Sequence, residues 1–301
     1  MAGSGSGPPV FVRFWGTRGS IPTPGHKTKR YGGNTSCVEI RAGDRLLICD
    51  GGTGLRELGL DLLARDKPRL EAHLFFSHMH WDHIQGFPFF LPAYAPSSDL
   101  YVYEVAKGED RVQRLLHGQM RSEYFPVTFK DLGARIVSSA FEHGVTEFDG
   151  IRVSCLEQTH PGRSFAYAFE IGGKKIVYST DNELDLTIQN RDEADRDLAS
   201  LRRLPDAFRR FVDGADLLIA DGQYTEAEYP KKIGWGHARA NTVVDLALQA
   251  GVKQCAIFHH DPMHSDELVE DIVREGRERA QRTNGKLAVF GAREGLELKL
   301  E

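Results

Sequence analysis

Short runs of apolar residues alternate with glycine, aspartate and asparagine along most of the chain. Runs of four to eight residues that are rich in Val, Ile, Phe and Tyr and end at such turn formers are typical of β-strands. The Gly172-Gly173 pair between two of these runs predicts a hairpin turn. The pattern predicts strands at residues 10–15, 37–41, 45–49, 73–76, 100–104, 135–138, 151–156, 165–171, 174–179, 217–220, 254–258, 286–290 and 296–300.

A helical period in the apolar positions appears in four segments. In the last of them, Leu268, Ile272 and Val273 share one face and charged residues occupy the other. Strands dominate both halves of the chain with helices between them, which predicts a layered α/β fold in which helices cover sheets. The predicted helices span residues 55–64, 111–120, 238–250 and 265–282.

The composition is that of an ordinary globular protein, with 41% hydrophobic and 27% charged residues among 301. The net charge of −5 gives no support to a general nucleic-acid binder. No apolar stretch approaches the roughly 18 residues that span a bilayer, so no membrane partner is expected. The four cysteines form no CxxC pair, which favours buried, reduced thiols in a cytoplasmic protein. They are Cys37, Cys49, Cys155 and Cys255.

The domain organisation is predicted to be simple. Residues 1–9 are rich in Gly, Ser and Pro without an apolar core, and indicate a flexible leader rather than a signal peptide. Residues 10–301 are predicted to form a single domain, with insertions near 97–145 and 182–214. The second insertion carries eight acidic and six basic residues. It is interpreted as a solvated helical face or, alternatively, as a lid or subunit contact, which would fit a homodimer.

The densest chemical signal follows the predicted strand at residues 73–76. The segment His78-Met79-His80-Trp81-Asp82-His83 places four metal-binding side chains within six residues. In an extended chain His78 and His80 point the same way, and a turn then brings Asp82 and His83 beside them. Imidazole nitrogen and carboxylate oxygen are the ligands that borderline divalent ions prefer. The motif predicts a hydrolytic centre of two adjacent metal ions.

Three further candidate ligands each follow the end of a predicted strand. They are His160 in Gln-Thr-His-Pro, Asp181 in Ser-Thr-Asp-Asn, and His259 in Phe-His-His-Asp-Pro. The carboxyl ends of strands are where α/β sheets commonly place their chemistry. These residues are therefore predicted to complete the ligand set. One of His260, Asp261 and His264 is predicted to orient the imidazole of His259 by a hydrogen bond.

The segment from His78 to His83 resembles the HxHxDH signature of the metallo-β-lactamase superfamily, and the resemblance extends over nearly the whole chain from Val10. It implies an α/β fold of the four-layer αββα sandwich type. It also implies a division of the ligands between two metals and a bridging carboxylate. The first metal would be held by His78, His80 and His160, the second by Asp82, His83 and His259, with Asp181 between them.

Several segments resemble the branch that contains ribonuclease Z and related phosphodiesterases. They are the Gly-Thr loop at residues 16–22, residues 34–37, 47–52 and 220–224, and the Gly236-His237 pair. In that branch the histidine acts on the phosphate or the leaving group, so His237 is a catalytic candidate. Ribonuclease Z proteins carry a protruding arm, but only 21 positions separate His160 from Asp181. The acidic chain also lacks the clustered Lys and Arg that long RNA favours.

The favoured function is a phosphodiesterase for a small phosphodiester such as a cyclic nucleotide, with RNA as the less favoured partner. Asp82 would orient or deprotonate the nucleophile, and His237 would assist the leaving group. Arg239, Lys231 and Lys232 are candidate phosphate contacts. Zinc suits the His-rich set best, with manganese and iron as alternatives.

Two alternatives to this function are enzymes of the same fold: a ribonuclease Z-like nuclease that processes RNA 3′ ends, and a lactonase or thioesterase. A non-catalytic module stabilised by metal would show lost ligands, and here none is missing.

Overall fold

The structure is a computed structural model that describes residues 8–65, 67–105, 111–141, 144–197, 199–283 and 286–300. Backbone contacts divide the chain into two compact units, each with its own seven-stranded sheet. The first unit comprises residues 1–24, 32–146 and 293–301, and the second comprises residues 25–31 and 147–292. The single domain predicted for residues 10–301 stays a prediction, and most of the predicted leader lies outside the described residues.

Fourteen strands and seven α-helices are assigned within the described ranges. The strands are β1 (Val10–Gly16), β2 (Cys37–Ala42), β3 (Arg45–Cys49), β4 (Leu70–Phe75), β5 (Ser98–Glu104), β6 (Arg135–Ala140), β7 (Val145–Phe148), β8 (Ile151–Gln158), β9 (Ser164–Ile171), β10 (Lys174–Ser179), β11 (Leu217–Asp221), β12 (Gln254–Phe258), β13 (Ala288–Gly291) and β14 (Glu297–Leu300). The helices are α1 (Gly54–Ala64), α2 (Trp81–Ile84), α3 (Arg111–Gln119), α4 (Arg191–Arg196), α5 (Asp206–Val212), α6 (Ala240–Gln249) and α7 (Asp266–Thr283).

The sheet of the first unit has the order β14-β1-β2-β3-β4-β5-β6. Strands β1 to β3 pair antiparallel, whereas β3 to β6 pair parallel. Helix α1 buries Leu55, Leu58 and Leu62 in the apolar core of this unit. The parallel pairing puts the carboxyl ends of β3 and β4 at one edge, where Asp50 and the segment 77–83 begin.

The sheet of the second unit has the order β13-β12-β11-β10-β9-β8-β7. Strands β8, β9 and β10 pair antiparallel, and β10 to β13 pair parallel. The predicted turn between β9 and β10 is confirmed, since Gly172 and Gly173 both have positive φ, at 59° and 76°. Helix α7 buries Ile272 and Val273, two of the residues predicted to form its apolar face.

The predicted strands and helices are all observed, with ends that move by a few residues. Strand β7 was not predicted because its sequence, Val-Thr-Glu-Phe, contains no apolar run. The helices α2, α4 and α5 were not predicted because helices of four to seven residues carry little helical periodicity. The predicted insertion at 97–145 contains β5 and β6, so much of it belongs to the sheet. Residues 106–110, 142 and 143 of that insertion lie outside the described part of the chain.

The segment 182–214 does not form a simple solvated face. Leu184, Arg202 and Leu204 are each at most 1% exposed, and Leu184 and Leu204 belong to the apolar core of the second unit. The burial could not be predicted from the charged composition. The buried acids and arginine of the segment form hydrogen bonds to residues that are far away in the sequence. Its interpretation as a solvated face is therefore wrong for Glu183, Asp185 and Arg202, and the alternative, a lid or subunit contact, stays a prediction.

All four cysteines are free, as predicted, but Cys155 is only partly buried. Burial raises the pKa of Cys155 to about 11 and that of Cys255 to about 12, because a thiolate is poorly solvated there. No helix among the described residues is both long enough and apolar enough to cross a membrane.

Candidate metal centre

The four metal-binding side chains of the HxHxDH segment come together at the end of β4. His80 directly precedes α2, so Asp82 and His83 lie in the first turn of that helix. The Nε2 atom of His78 is 2.9 Å from Nδ1 of His80, and the rings of His78 and His83 have centroids 4.3 Å apart. Nε2 of His83 lies 3.2 Å from Oδ2 of Asp82. The structure thus gathers all four predicted ligands of this segment.

A buried carboxylate, Asp50, supports this group from the end of β3. It accepts hydrogen bonds from the Ser77 amide at 2.7 Å, the Ser77 hydroxyl at 2.8 Å, and Nδ1 of His83 at 2.7 Å. An ionised carboxylate only accepts, so Nδ1 of His83 carries the proton and Nε2 keeps its lone pair. Such a hydrogen bond is the usual means of orienting an imidazole that binds a metal.

The N-terminal Gly-Thr loop contacts the same group through its backbone. The amide of Ser20 donates to Oδ2 of Asp82 at 2.7 Å. Ser20 has a φ of 63°, a left-handed conformation that is uncommon for a residue with a side chain. This conformation directs the amide at a candidate ligand. The loop at residues 16–22 therefore orients Asp82, a role that its sequence did not reveal.

A second group of ligands lies at one edge of the sheet of the second unit. His160, Asp181 and His259 follow β8, β10 and β12, whose carboxyl ends meet there. Oδ1 of Asp181 is 3.2 Å from Nε2 of His259, and Oδ2 is 3.7 Å from Nε2 of His160. Asp181 and His259 have φ values of 52° and 60°, a left-handed conformation that is uncommon for residues with a side chain. The two oxygens of Asp181 face different imidazoles, as a bridging carboxylate requires.

Each imidazole of this group is oriented through Nδ1. Nδ1 of His160 donates to the carbonyl of Gly236 at 3.0 Å, and Nδ1 of His259 donates to Oε1 of Gln223 at 3.2 Å. Gln223 in turn donates to Asp261 at 3.1 Å. Both histidines therefore keep the lone pair on Nε2 for binding a metal. Asp261 supports His259 indirectly, through Gln223, and is the one of the three predicted supporting residues that does so.

The other two neighbours of His259 are directed elsewhere. Nε2 of His260 bonds to the carbonyl of Ala292 at 2.8 Å, and Nε2 of His264 lies 2.8 Å from Oε1 of Glu228. Of the adjacent pair, His259 is the residue whose Nε2 approaches Asp181. The geometry therefore favours His259 over His260 as the candidate ligand.

His237 lies beside the second group and is paired with a buried carboxylate. Its Nδ1 donates to Oδ2 of Asp221 at 2.7 Å and lies 3.9 Å from Oδ2 of Asp181. The rings of His237 and His259 are stacked, with centroids 5.0 Å apart. Asp221 is 1% exposed, so the pair is removed from water. Sequence reasoning quoted Asp221 only as part of a resembling segment and gave it no role.

The loop that carries Gly236 and His237 is held by Glu183, which was also missed. This carboxylate is 1% exposed and accepts from the Tyr229 hydroxyl at 2.9 Å, the Gly234 amide at 2.7 Å and the Gly236 amide at 2.8 Å. Burial, together with Asp185 and Glu183, raises the pKa of Tyr229 and keeps its hydroxyl protonated. A β-carbon on Gly236 would lie 2.1 Å from Nδ1 of His160, so only glycine fits there.

Arg239 forms buried ion pairs instead of presenting its charge to a phosphate. Its backbone amide and Nε both donate to Asp185, at 2.8 and 2.7 Å, and its guanidinium also pairs with Glu226 at 2.7 Å. The side chain is only 9% exposed. Since its charge is matched by two carboxylates, Arg239 anchors the start of α6, and its prediction as a phosphate contact is wrong.

The donor sets of both units suit divalent metal ions. Each set offers imidazole nitrogens together with a carboxylate, and four of the imidazoles have Nδ1 bonded to a neighbouring oxygen. That arrangement fixes the tautomer in which Nε2 is available, and it is typical of histidines that bind metals. The chemistry of these residues fits borderline divalent metal ions.

Comparison with known proteins places the chain in a family. Residues 45–260 match the family model described as a β-lactamase superfamily domain. The ribonuclease Z of Synechococcus sp. (strain CC9311) is 25% identical to this chain, in an alignment that covers 88% of this chain and 92% of that protein.

Solved structures agree at the level of the fold. The metallo-β-lactamase fold protein YhfI from Bacillus subtilis has a TM-score of 0.67 and 19% identity, with 97% of this chain and 99% of that chain covered. A diphosphatase from the PhnP family has a TM-score of 0.64 and 16% identity, with 97% and 98% covered. The α/β fold class of the metallo-β-lactamase type is thereby confirmed.

Proposed function

The chain belongs to the metallo-β-lactamase superfamily of hydrolases, and from that premise we propose that it is a two-metal phosphodiesterase for a small phosphodiester such as a cyclic nucleotide. The observation that carries the proposal is the pair formed by His237 and Asp221 beside Asp181 and His259. Hydrolysis of a phosphodiester needs a proton for the departing oxygen, and a histidine held by a buried carboxylate can supply it.

The metal ligands of the proposal are the seven residues that the resemblance implies. His78, His80 and His160 would hold one ion, Asp82, His83 and His259 the other, and Asp181 would bridge them. Zinc is the proposed metal. When bound, the two ions would make a water molecule acidic enough to attack at neutral pH and would stabilise charge on the phosphate oxygens.

The protein's own groups would orient the reaction. The Ser20 amide fixes Oδ2 of Asp82, which leaves that carboxylate placed to orient or deprotonate the nucleophile. Asp221 fixes the proton on Nδ1 of His237, so Nε2 is the atom that would face the substrate. A protonated His237 would donate to the leaving oxygen from Nε2, and Asp221 would stabilise the imidazolium.

A small substrate is favoured over RNA by the chain's charge and by its short connections. The net charge is −5, and between His160 and Asp181 the chain makes only the hairpin of β9 and β10. A long RNA would instead favour clustered basic residues. Of the phosphate contacts considered, Lys231 and Lys232 remain candidates.

A ribonuclease Z-like nuclease is the second candidate function. It is favoured by the curated relative of that name, which the chain matches over 92% of its length. Under either function the homodimer and the cytoplasmic location stay predictions.

The deciding experiment is turnover by the purified protein after its metal content has been measured. We expect about two equivalents of zinc and hydrolysis of bis-p-nitrophenyl phosphate and of cyclic nucleotides. A precursor transfer RNA with a 3′ trailer tests the second candidate, and lactones and thioesters test carbon-ester hydrolysis. Turnover confined to the carbon esters would overturn the proposal, and efficient trailer removal without cyclic nucleotide hydrolysis would replace it with the second candidate.

A further inference from the structure

The loop before His237 presents an indole to solvent. Trp235 is 58% exposed and is separated from His237 by a single glycine. Large aromatic side chains are usually well buried, so an exposed indole beside a candidate catalytic residue is informative. Its position in the chain points to a role in recognising the substrate.

The exposed indole is held on a rigid backbone. Glu183 accepts from the amides of Gly234 and Gly236, the two residues that flank Trp235, at 2.7 and 2.8 Å. The amide of Trp235 itself donates to the carbonyl of Lys232 at 3.0 Å. These bonds fix the loop through its backbone and not through the indole, so a ligand that stacks on the ring would meet an already ordered loop.

A cation accompanies the ring. Nζ of Lys232 lies 3.9 Å from the centroid of Trp235 and 5.6 Å from that of Tyr224. Lys231 is an exposed neighbour of the same sign. An aromatic surface combined with positive charge matches a nucleotide, whose base stacks on aromatic rings and whose phosphate attracts cations. A glycerol phosphodiester has no base to stack on the indole.

We propose that Trp235, with Lys232 against its ring, forms the subsite for the nucleobase of the substrate. This inference rests on the proposed phosphodiesterase function and narrows its substrate to a nucleotide ester. Base stacking on an aromatic side chain is expected to contribute roughly tenfold in affinity.

Binding of the expected product isolates this subsite from catalysis. The affinity of the metal-loaded full chain is measured by calorimetry for adenosine 5′-monophosphate and for ribose 5-phosphate, which lacks the base. We expect the wild-type protein to prefer the nucleotide by about tenfold. Trp235→Ala should abolish the preference and Trp235→Phe should retain most of it. Ile233→Ala, which changes another exposed residue of the same loop, should leave it unchanged.

Two results would overturn the inference: equal or undetectable binding of the two ligands by the wild-type protein, or a preference that survives Trp235→Ala. Because Trp235 is exposed, its replacement leaves the core intact, and a melting temperature close to that of the wild type checks this. Turnover of bis-p-nitrophenyl phosphate is measured in parallel. Its absence in the wild type would count against the proposed function, whereas the preference for a base is judged by binding alone.

Discussion

Replacement of Glu183 tests how the site is held in place. This carboxylate accepts three hydrogen bonds, two of them from the amides of Gly234 and Gly236. In Glu183→Ala, the buried Gly236 amide and the Tyr229 hydroxyl lose their acceptor. An unsatisfied buried donor costs about 1–3 kcal/mol, so we expect a loss of about 3–5 kcal/mol in the free energy of unfolding.

Glu183→Gln should be much milder because its amide oxygen can still accept from Gly236. The amide nitrogen then faces the hydroxyl of Tyr229, which can accept in turn, and the exposed Gly234 amide can bond to water. We expect a cost of about 1–2 kcal/mol, most of it from the lost charge. At about 2–4 °C per kcal/mol, thermal denaturation should separate the two variants clearly.

The zinc affinity of the folded protein distinguishes a displaced loop from a general loss of stability, because only the displaced loop should weaken metal binding. The carbonyl of Gly236 orients His160, so a displaced loop should weaken zinc binding by about 10–100-fold in Glu183→Ala. Competition with a chelator at a temperature where all variants are folded measures this. Glu170→Ala removes an exposed carboxylate of β9 and serves as the control. Zinc affinity and turnover at the wild-type level in Glu183→Ala would refute the chain of contacts from Glu183 to His160.

Three further predictions concern the bound metal, the pair of His237 and Asp221, and the thiol of Cys155. Chelation should lower the melting temperature, because a metal present at a hundredfold its dissociation constant stabilises by about 2.7 kcal/mol; an unchanged melting curve would contradict metal binding by the folded protein. Asp221→Asn should lower kcat by about 10²–10⁴-fold with zinc content retained, since His237 loses the partner that fixes its proton; kcat at the wild-type level would remove His237 from the mechanism. Since burial disfavours the thiolate and raises the pKa of Cys155 to about 11, alkylation of the native protein should be negligible at pH 7 and should rise toward pH 11, and rapid labelling at pH 7 would contradict this burial.

The candidate metal ligands could be predicted from the sequence because each lies in a recognisable local pattern of residues. Four of them lie within one six-residue segment, and the others directly follow apolar strands that are predicted correctly. A strand with an abrupt change of polarity at its end places the next side chain at the sheet edge, whatever the distant partners are. The side chains that support the ligands have no comparable signal.

The supporting carboxylates depend on partners far away in the chain. Asp50 bonds to His83 at a separation of 33 residues, and Glu183 bonds to Gly236 at a separation of 53. A buried acid and an exposed acid look the same in a sequence, and within 182–214 the buried Glu183 and Asp185 are followed by exposed acids such as Asp192 and Glu193. Only the fold decides which of them finds enough donors to offset the cost of leaving water.

A weaker signal was nevertheless present at three strand ends. Asp50, Asp181 and Asp221 each end or follow an apolar strand and are succeeded by Gly or Asn. A carboxylate there lies at the sheet edge that collects the ligands, and Asp50 and Asp181 themselves turn the chain with φ values of 58° and 52°, a conformation that aspartate tolerates better than most residues. All three acids are at most 2% exposed and bond to a histidine or lie beside one. An aspartate in this setting is therefore better interpreted as a partner of a candidate metal-binding or catalytic histidine than as a turn residue, because a buried carboxylate needs polar partners and in all three cases an imidazole lies beside it.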